Sequence, residues 1–248
     1  MSMHSDLALE YKHLEEVSST NDFLRDYAPT AGITVLSASY QTKGRGQMGN
    51  TWISDAGENA LFSILVCPSA LKAADGFVLS QAMALSIKEV LDAYLEGISI
   101  KWPNDIYCGN EKICGTLIEN VLMGKFVGRA VIGSGINVNQ TEFPDGLAAP
   151  ATSLRIYIKR IVPPADIIRL VAEHFARYYE EVQAGSYDHI REEYHRHLYL
   201  RGETHCFQDE TGTFTGIISH VEPDGHIIIV DEDGLSRRYA FKQVRLQR

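Results

Sequence analysis

Residues 101–139 read KWPNDIYCGNEKICGTLIENVLMGKFVGRAVIGSGINVN, and the reading of this stretch decides the fold. It divides into extended segments at 105–108, 112–120 and 126–139, preceded by another at 98–102. Gly109-Asn110 and Gly124 supply the tight turns between them, because these residues accept the positive φ that short hairpins need. Pro103 cannot donate to a strand ladder, so it marks a strand end or bulge that re-aims neighbouring side chains. Gly115 breaks its strand pattern and suggests close approach of a ligand to the backbone. Strands joined this tightly predict a mixed or antiparallel sheet.

Upstream, residues 59–67 (NALFSILVC) form a near-continuous apolar run, as expected of a central strand covered on both faces. Residues 33–40 read as another buried strand, and the glycine-rich polar segment 41–51 joins the two. Residues 75–95 have helical periodicity, with Met83, Ile87, Val90, Leu91 and Tyr94 on one face. Ser18-Ser19-Thr20-Asn21 offers N-caps to a short helix over 22–27, since a hydroxyl can satisfy a free N–H of the first turn. Downstream, 140–153 is irregular and contains Pro144, Gly146 and Pro150, which predicts a mobile loop. Pro163-Pro164 opens a long helix through 182, and 187–200 predicts another. After Gly202, short strands at 205–208, 213–221, 226–230, 237–241 and 244–246 alternate with turns. The expectation is an α+β domain over 1–201, a mixed or antiparallel sheet with flanking helices, and a small all-β barrel or sandwich over 202–248.

The chain has 248 residues, 45% hydrophobic, which is ample for a sizeable core. Its net charge of −9 argues against non-specific nucleic-acid binding, which needs clustered Lys and Arg. No apolar run reaches the roughly 18–20 residues of a membrane helix. Residues 1–11 are polar and acidic, unlike a signal peptide, so a cytoplasmic location is expected. Cys67, Cys108, Cys114 and Cys206 form no CxxC pair and no zinc-ligand spacing, and are read as reduced.

Three polar segments carry candidate chemistry. Gly44-Arg45-Gly46-Gln47-Met48-Gly49-Asn50 lets backbone N–H groups approach an anion, with Arg45 able to fork onto a phosphate or carboxylate. It is neither a Walker loop nor a dinucleotide fingerprint, since no GK[ST] follows and a strand succeeds it. An ordinary hairpin loop has the same composition, and Trp52 after it suits a core anchor equally well. Lys101-Trp102-Pro103-Asn104-Asp105 sets a cation, an amide and a carboxylate around a restricted backbone, which suits Mg²⁺ or nucleotide hydroxyls. The bland alternative is a turn capped by Asp105 with solvated lysines. Lys112 opens the next strand beside a turn.

In order, Ser19-Thr20-Asn21, Gln41 with Gly44-Arg45-Gly46, Lys101–Asp105, Lys112-Ile113-x-Gly115 and Gly133-Ser134-Gly135-Ile136-Asn137 closely resemble the biotin protein ligases. The resemblance implies a class II synthetase-like catalytic domain and a C-terminal SH3-like β-barrel. It implies a two-step reaction: biotin is activated by Mg²⁺ and ATP to biotinyl-5′-AMP, then joined to a lysine on the biotin carboxyl carrier domain of a carboxylase. By the same resemblance, Ser19, Thr20, Asn21, Gln41, Gly44, Arg45, Gly46, Gln47, Lys112 and Gly115 would hold biotin. Arg45, Trp52, Lys101, Asn104, Lys112 and Asn137 would face ATP, with Lys112, Arg45 and Asp105 at the chemistry. Gly115, Gly133 and Gly135 would allow close packing around the ligand. The metal ligands are not specified. The family's commoner loop pattern is GRGRxGR, whereas this chain has Gln47 and Asn50, which puts tight retention of the adenylate in doubt. The signature begins at Ser19, which leaves no room before it for the DNA-binding domain that some relatives carry.

Two other readings compete. A lipoate or octanoate ligase or transferase shares the fold, and a biotin-responsive, catalytically weak binding protein shares the pocket. The GRG loop, the KWPND segment and the C-terminal β segment favour biotin, while Arg45 and Lys112 favour catalysis. A homodimer is compatible with the chain because cyclic dimers are the commonest assembly, though no stretch demands it. His195-Arg196-His197 reads as a solvated helix face. Arg237, Arg238, Lys242, Arg245 and Arg248 read as protective charges on an edge strand rather than a contact with an acidic acceptor or nucleotide. Tyr178 and Tyr179 read as packing.

Overall fold

The computed structural model describes residues 7–46, 49–147 and 149–247. The quoted stretch folds as expected into antiparallel strands. With β1 (Leu9–Val17), β2 (Ile33–Gln41), β3 (Ala60–Val66), β4 (Ile98–Lys101), β5 (Asp105–Cys108), β6 (Glu111–Met123) and β7 (Phe126–Ile136), it makes one sheet. The strand order is β1-β2-β3-β7-β6-β5-β4. All neighbours are antiparallel except β1 and β2, so the sheet is mixed. β7 ends at Ile136, which places Asn137 beyond the strand.

Alternation across this sheet separates two environments. Ile33, Val35, Phe62, Ile64 and Ile132 face the main core, with α2 (Val78–Asp92) and α4 (Pro164–Gln183) packed over them. On the opposite face, Leu36, Leu65 and Val131 meet Leu24 of α1 (Thr20–Arg25) in a smaller cluster. β3 is therefore buried along its whole length, which is why its sequence is continuously apolar. α2 is buried on nearly every side rather than on one stripe, since α4, α5 (Asp188–Arg196) and the sheet enclose it. α1 starts two residues before the sequence expectation, with Ser19 of the expected capping stretch as its N-cap. A short helix, α3 (Leu154–Ile158), follows the irregular segment and is capped by Ser153.

β8 (Thr204–Asp209), β9 (Gly212–Val221), β10 (Ile227–Asp231), β11 (Ser236–Tyr239) and β12 (Arg245–Leu246) form the second sheet, in the order β11-β10-β9-β8-β12. The expected closed barrel is corrected here: among the described residues β11 and β12 are edges and do not pair with each other. Phe207, Ile218, Val221, Ile227, Ile229 and Tyr239 join the same apolar cluster as the larger sheet's core. Trp102 Nε1 donates to Gly225 O (2.8 Å) across this junction, and its ring meets Phe241 edge-on. The solvated reading of His195 is overturned: the ring is largely enclosed and Val221 N–H donates to Nε2 (2.9 Å). Burial lowers its pKa, which suits the neutral, accepting form. Arg237 and Arg238 are held by Asp209, Asp231, Glu222 and Asp224, whereas Lys242 and Arg245 border both the central cavity and a smaller one beside it, with Arg245 Nε donating to Gln208 Oε1 (2.9 Å). None of the described helices is long and apolar enough to cross a membrane.

Candidate active site

The face of the sheet that α1 covers carries an uncovered trough beside that helix. Register places Ser63 of β3 opposite Gly133 of β7, Gly133 opposite Leu117 of β6, and Gly135 opposite Gly115. Of the five strand positions named, three are glycines, one is a serine and one is Leu117. The resulting cavity holds about 1110 Å³ and lies between this floor, the loop after β2, the 143–151 segment and the C-terminal sheet.

The glycines make room for protein side chains. A Cβ on Gly133 would lie 2.1 Å from Asn21 Oδ1, and one on Gly135 would lie 2.4 Å from Trp52 Cε2. A Cβ on Gly115 would meet Trp52 at 3.0 Å and Lys112 Cε and Nζ at 3.1 Å. The sequence expectation that a ligand approaches Gly115 is thus refined: Trp52 and Lys112 lie against it.

One part of the trough wall is neutral and polar. Ser19 caps α1, its Oγ accepting from Asp22 N–H. Gln41, from the end of β2, accepts the Thr20 N–H at Oε1 (2.8 Å). Asn21 donates through Nδ2 to Leu117 O (3.3 Å) and Glu119 Oε2 (2.8 Å). Ser63 lies fully buried beneath, 2.7 Å from Thr20 Oγ1 and 2.6 Å from Asn21 Oδ1.

Charged groups border the trough as well, Arg45 beside Asn21 and Lys112 beside Gly115. Arg45 Nη2 bridges Asp22 (2.8 Å) and Glu119 (2.7 Å). Burial pushes the Glu119 carboxyl up, but hydrogen bonds from Asn21 and Arg45, with the charges of Arg45 and Arg25, outweigh it and hold the group below its ordinary value. Lys112 Nζ pairs with Asp105 Oδ1 (2.8 Å) and stands 5.9 Å from the Trp52 ring centre. Lys101 contacts the Tyr107 hydroxyl (3.0 Å). Asn104 is buried and donates to Thr116 O (2.6 Å), and Asn137 donates to Thr152 O (3.0 Å). An incoming anion would find Arg45 and Lys112 already paired with carboxylates it must displace.

All the sequence-derived site residues among those described line this cavity except Gly44. Gly44 forms the neck of the loop, where a Cβ would stand 2.5 Å from Trp52 O. Gln47 lies outside the described residues. Sequence reasoning missed Ser63, Asp22 and Glu119, while Lys242 and Arg245, read there as edge-strand charges, also border the cavity. Cys114 lies beside the charged groups, but burial pushes its thiol up to about 12, so it offers no thiolate. The arrangement can hold a neutral polar ring and neutralise anions that converge beside it.

Residues 14–137 match the sequence profile of the Biotin/lipoate A/B protein ligase family. The chain is 28% identical over 240 residues to the bifunctional ligase/repressor BirA of Bacillus subtilis (strain 168), covering 96% of this chain and 71% of that one. It is 28% identical over 227 residues to the biotin–[acetyl-CoA-carboxylase] ligase of Paracoccus denitrificans, covering 87% and 92%. The fold is similar to that of a biotin protein ligase from Aquifex aeolicus solved in complex with biotin and ATP. That match has a TM-score of 0.78 and 28% identity, covering 96% of this chain and 99% of that one.

Proposed function

Because this chain belongs to the biotin/lipoate A/B protein ligase family, we propose that it is the ligase that activates biotin as biotinyl-5′-AMP and transfers it to a carrier lysine. The observation that carries this reading is the trough's lining. Ser19, Thr20 and Gln41 offer hydrogen bonds to a cyclic urea, and Arg45 and Lys112 line the same trough as cations. A dithiolane ring has no N–H or carbonyl to match the polar wall, which favours biotin over lipoate.

In the first step a biotin carboxylate oxygen attacks the α-phosphorus of ATP, and the bond to pyrophosphate breaks. Two anions must converge, so Lys112 and Arg45 exchange Asp105, Asp22 and Glu119 for substrate oxygens and lower the repulsion. Asp105 with Asn104 is a sparse donor set, which fits a Mg²⁺ held mainly by the triphosphate and water, where it would neutralise phosphate charge. In the second step the ε-amine of the acceptor lysine attacks the acyl carbon and AMP leaves. The proposed acceptor is the biotin carboxyl carrier domain of a carboxylase, reached without nucleic acid. Incubation with biotin and Mg·ATP should release pyrophosphate and leave biotinyl-AMP on the protein. Release of pyrophosphate with lipoate but not biotin would replace this reading with the lipoate one, and release with neither would remove the enzyme reading.

The loop composition makes a second prediction. An arginine at position 47 would add a charge-assisted hydrogen bond to the adenylate, worth about 1.5–3 kcal/mol. Gln47→Arg should therefore slow adenylate release by roughly one to two decades and reduce stray labelling of bystander proteins. Unchanged or faster release from the arginine variant would show that other contacts retain the intermediate.

A further inference from the structure

β6 alternates Gly115, Leu117 and Glu119 onto the trough face. Glu119 does not itself line the cavity, but it accepts from two residues that do. Its Oε2 takes a proton from Asn21 Nδ2 at 2.8 Å and one from Arg45 Nη2 at 2.7 Å. Its Oε1 accepts from Arg25 at 3.4 Å. One carboxylate therefore ties the cation of the loop after β2 to the amide on the first turn of α1. Burial raises its pKa, but Asn21, Arg45 and Arg25 outweigh this, so the group stays charged. Asp22 holds the same Arg45 nitrogen at 2.8 Å, but it rides on a six-residue helix and is shared with Arg25 at 2.7 Å. Glu119 is fixed by the pairing of its strand with β7 and by Asn21, so it cannot follow Arg45 toward an incoming anion. An anionic ligand that uses Arg45 must first win it from Glu119, whereas a neutral ligand of the same shape need not.

We infer that Glu119 is a positioning residue that holds Arg45 in reserve and so sets how far the pocket favours an anionic ligand over a neutral one. This inference rests on the proposed biotin reading. It makes the strength of the Glu119–Arg45 pair the quantity that controls retention of the adenylate. Glu119→Gln keeps an oxygen for Asn21 and Arg45 but removes the charge. The guanidinium is then released at lower cost, so anions bind more tightly even though a contact within the protein has been weakened.

The test is calorimetric binding of three ligands: biotin, a carboxylate; biotinol, its neutral alcohol; and biotinol-5′-AMP, a stable phosphodiester. The unfolding temperature of the unliganded protein is measured alongside. Relative to biotinol, Glu119→Gln should bind the two anions about three- to fivefold more tightly than wild type does. Biotinol-5′-AMP should leave more slowly by a similar factor, read by stopped-flow displacement. In an Arg45→Ala background the same substitution should leave the ratio unchanged, since no guanidinium remains to be released. Equal changes for all three ligands would mean that Glu119 merely props up Asn21, which overturns the inference. So does a gain that persists without Arg45, because the carboxylate would then act on the ligand directly. A wild type that binds all three, with an unchanged ratio in Glu119→Gln, overturns the inference alone. A wild type that binds none of them overturns the functional reading, and this inference with it.

Discussion

Lys112→Ala is expected to slow adenylate formation by roughly 10²–10³-fold while leaving the fold intact. Lys112 is the second residue of β6, and its ammonium pairs with Asp105 of the neighbouring β5 at 2.8 Å. Both partners are about a quarter exposed, so the pair itself contributes little to stability, on the order of 1 kcal/mol or less. Its value lies in the reaction. On the proposed mechanism the attacking carboxylate and the α-phosphate would converge near Asp105, and among the described residues the salt-bridge partner of Asp105 is Lys112. Without it, Asp105 turns from a counter-ion into a third repelling anion. Lys112→Arg should recover only part of the rate, because the ammonium's stem lies against the Gly115 floor and a planar fork does not follow the same path. A single-turnover measurement of pyrophosphate release with biotin and Mg·ATP reads this step. Transfer from supplied biotinyl-AMP reads the second, where a smaller loss is expected. A wild-type burst from the alanine variant would remove Lys112 from the chemistry.

What the sequence made legible follows from how local each signal is. β3 announced itself because both of its faces are covered, and β5, β6 and β7 because glycine turns punctuate them. β1 was not legible. It is a parallel edge strand, LEYKHLEEV, whose charged residues solvate its open side, and its partner lies some two dozen residues away. The second sheet's strands were legible, but whether its edges close was not, since closure depends on the pairing of remote strands. The same limit governed the site. Arg45 and Lys112 stood out as cations among glycines, whereas Ser63 sat unremarked in an apolar run and Glu119 in a strand. Both matter only through register, which sets Ser63 opposite Gly133 and puts Glu119 beneath Asn21 and Arg45. His195 was misread for a related reason: a helix pattern does not reveal that another sheet packs on its polar face.

Gly133→Ala should cost at least about 10²-fold in biotin affinity and about 1–3 kcal/mol in stability. The backbone there suits any residue, since Gly133 does not adopt the left-handed conformation. The obstacle is Asn21, whose Oδ1 would stand 2.1 Å and Cγ 2.8 Å from the new methyl. Asn21 cannot step aside cheaply. Its amide is tied to Leu117, Glu119 and Ser63, and it sits on the first turn of α1, where a shift carries Thr20 and the Ser19 cap with it. Displacement would therefore disturb Arg45 as well, because Glu119 also anchors it. A double-mutant cycle separates steric clash from a general loss of packing. In an Asn21→Ala background the methyl has space, so Gly133→Ala should cost far less stability there than in the wild type, while biotin affinity stays low because the amide is gone. Equal stability losses in the two backgrounds would mean that Asn21 is not what the glycine accommodates. Wild-type biotin affinity in the single variant would mean that Asn21 does not need its present position to form the ring site.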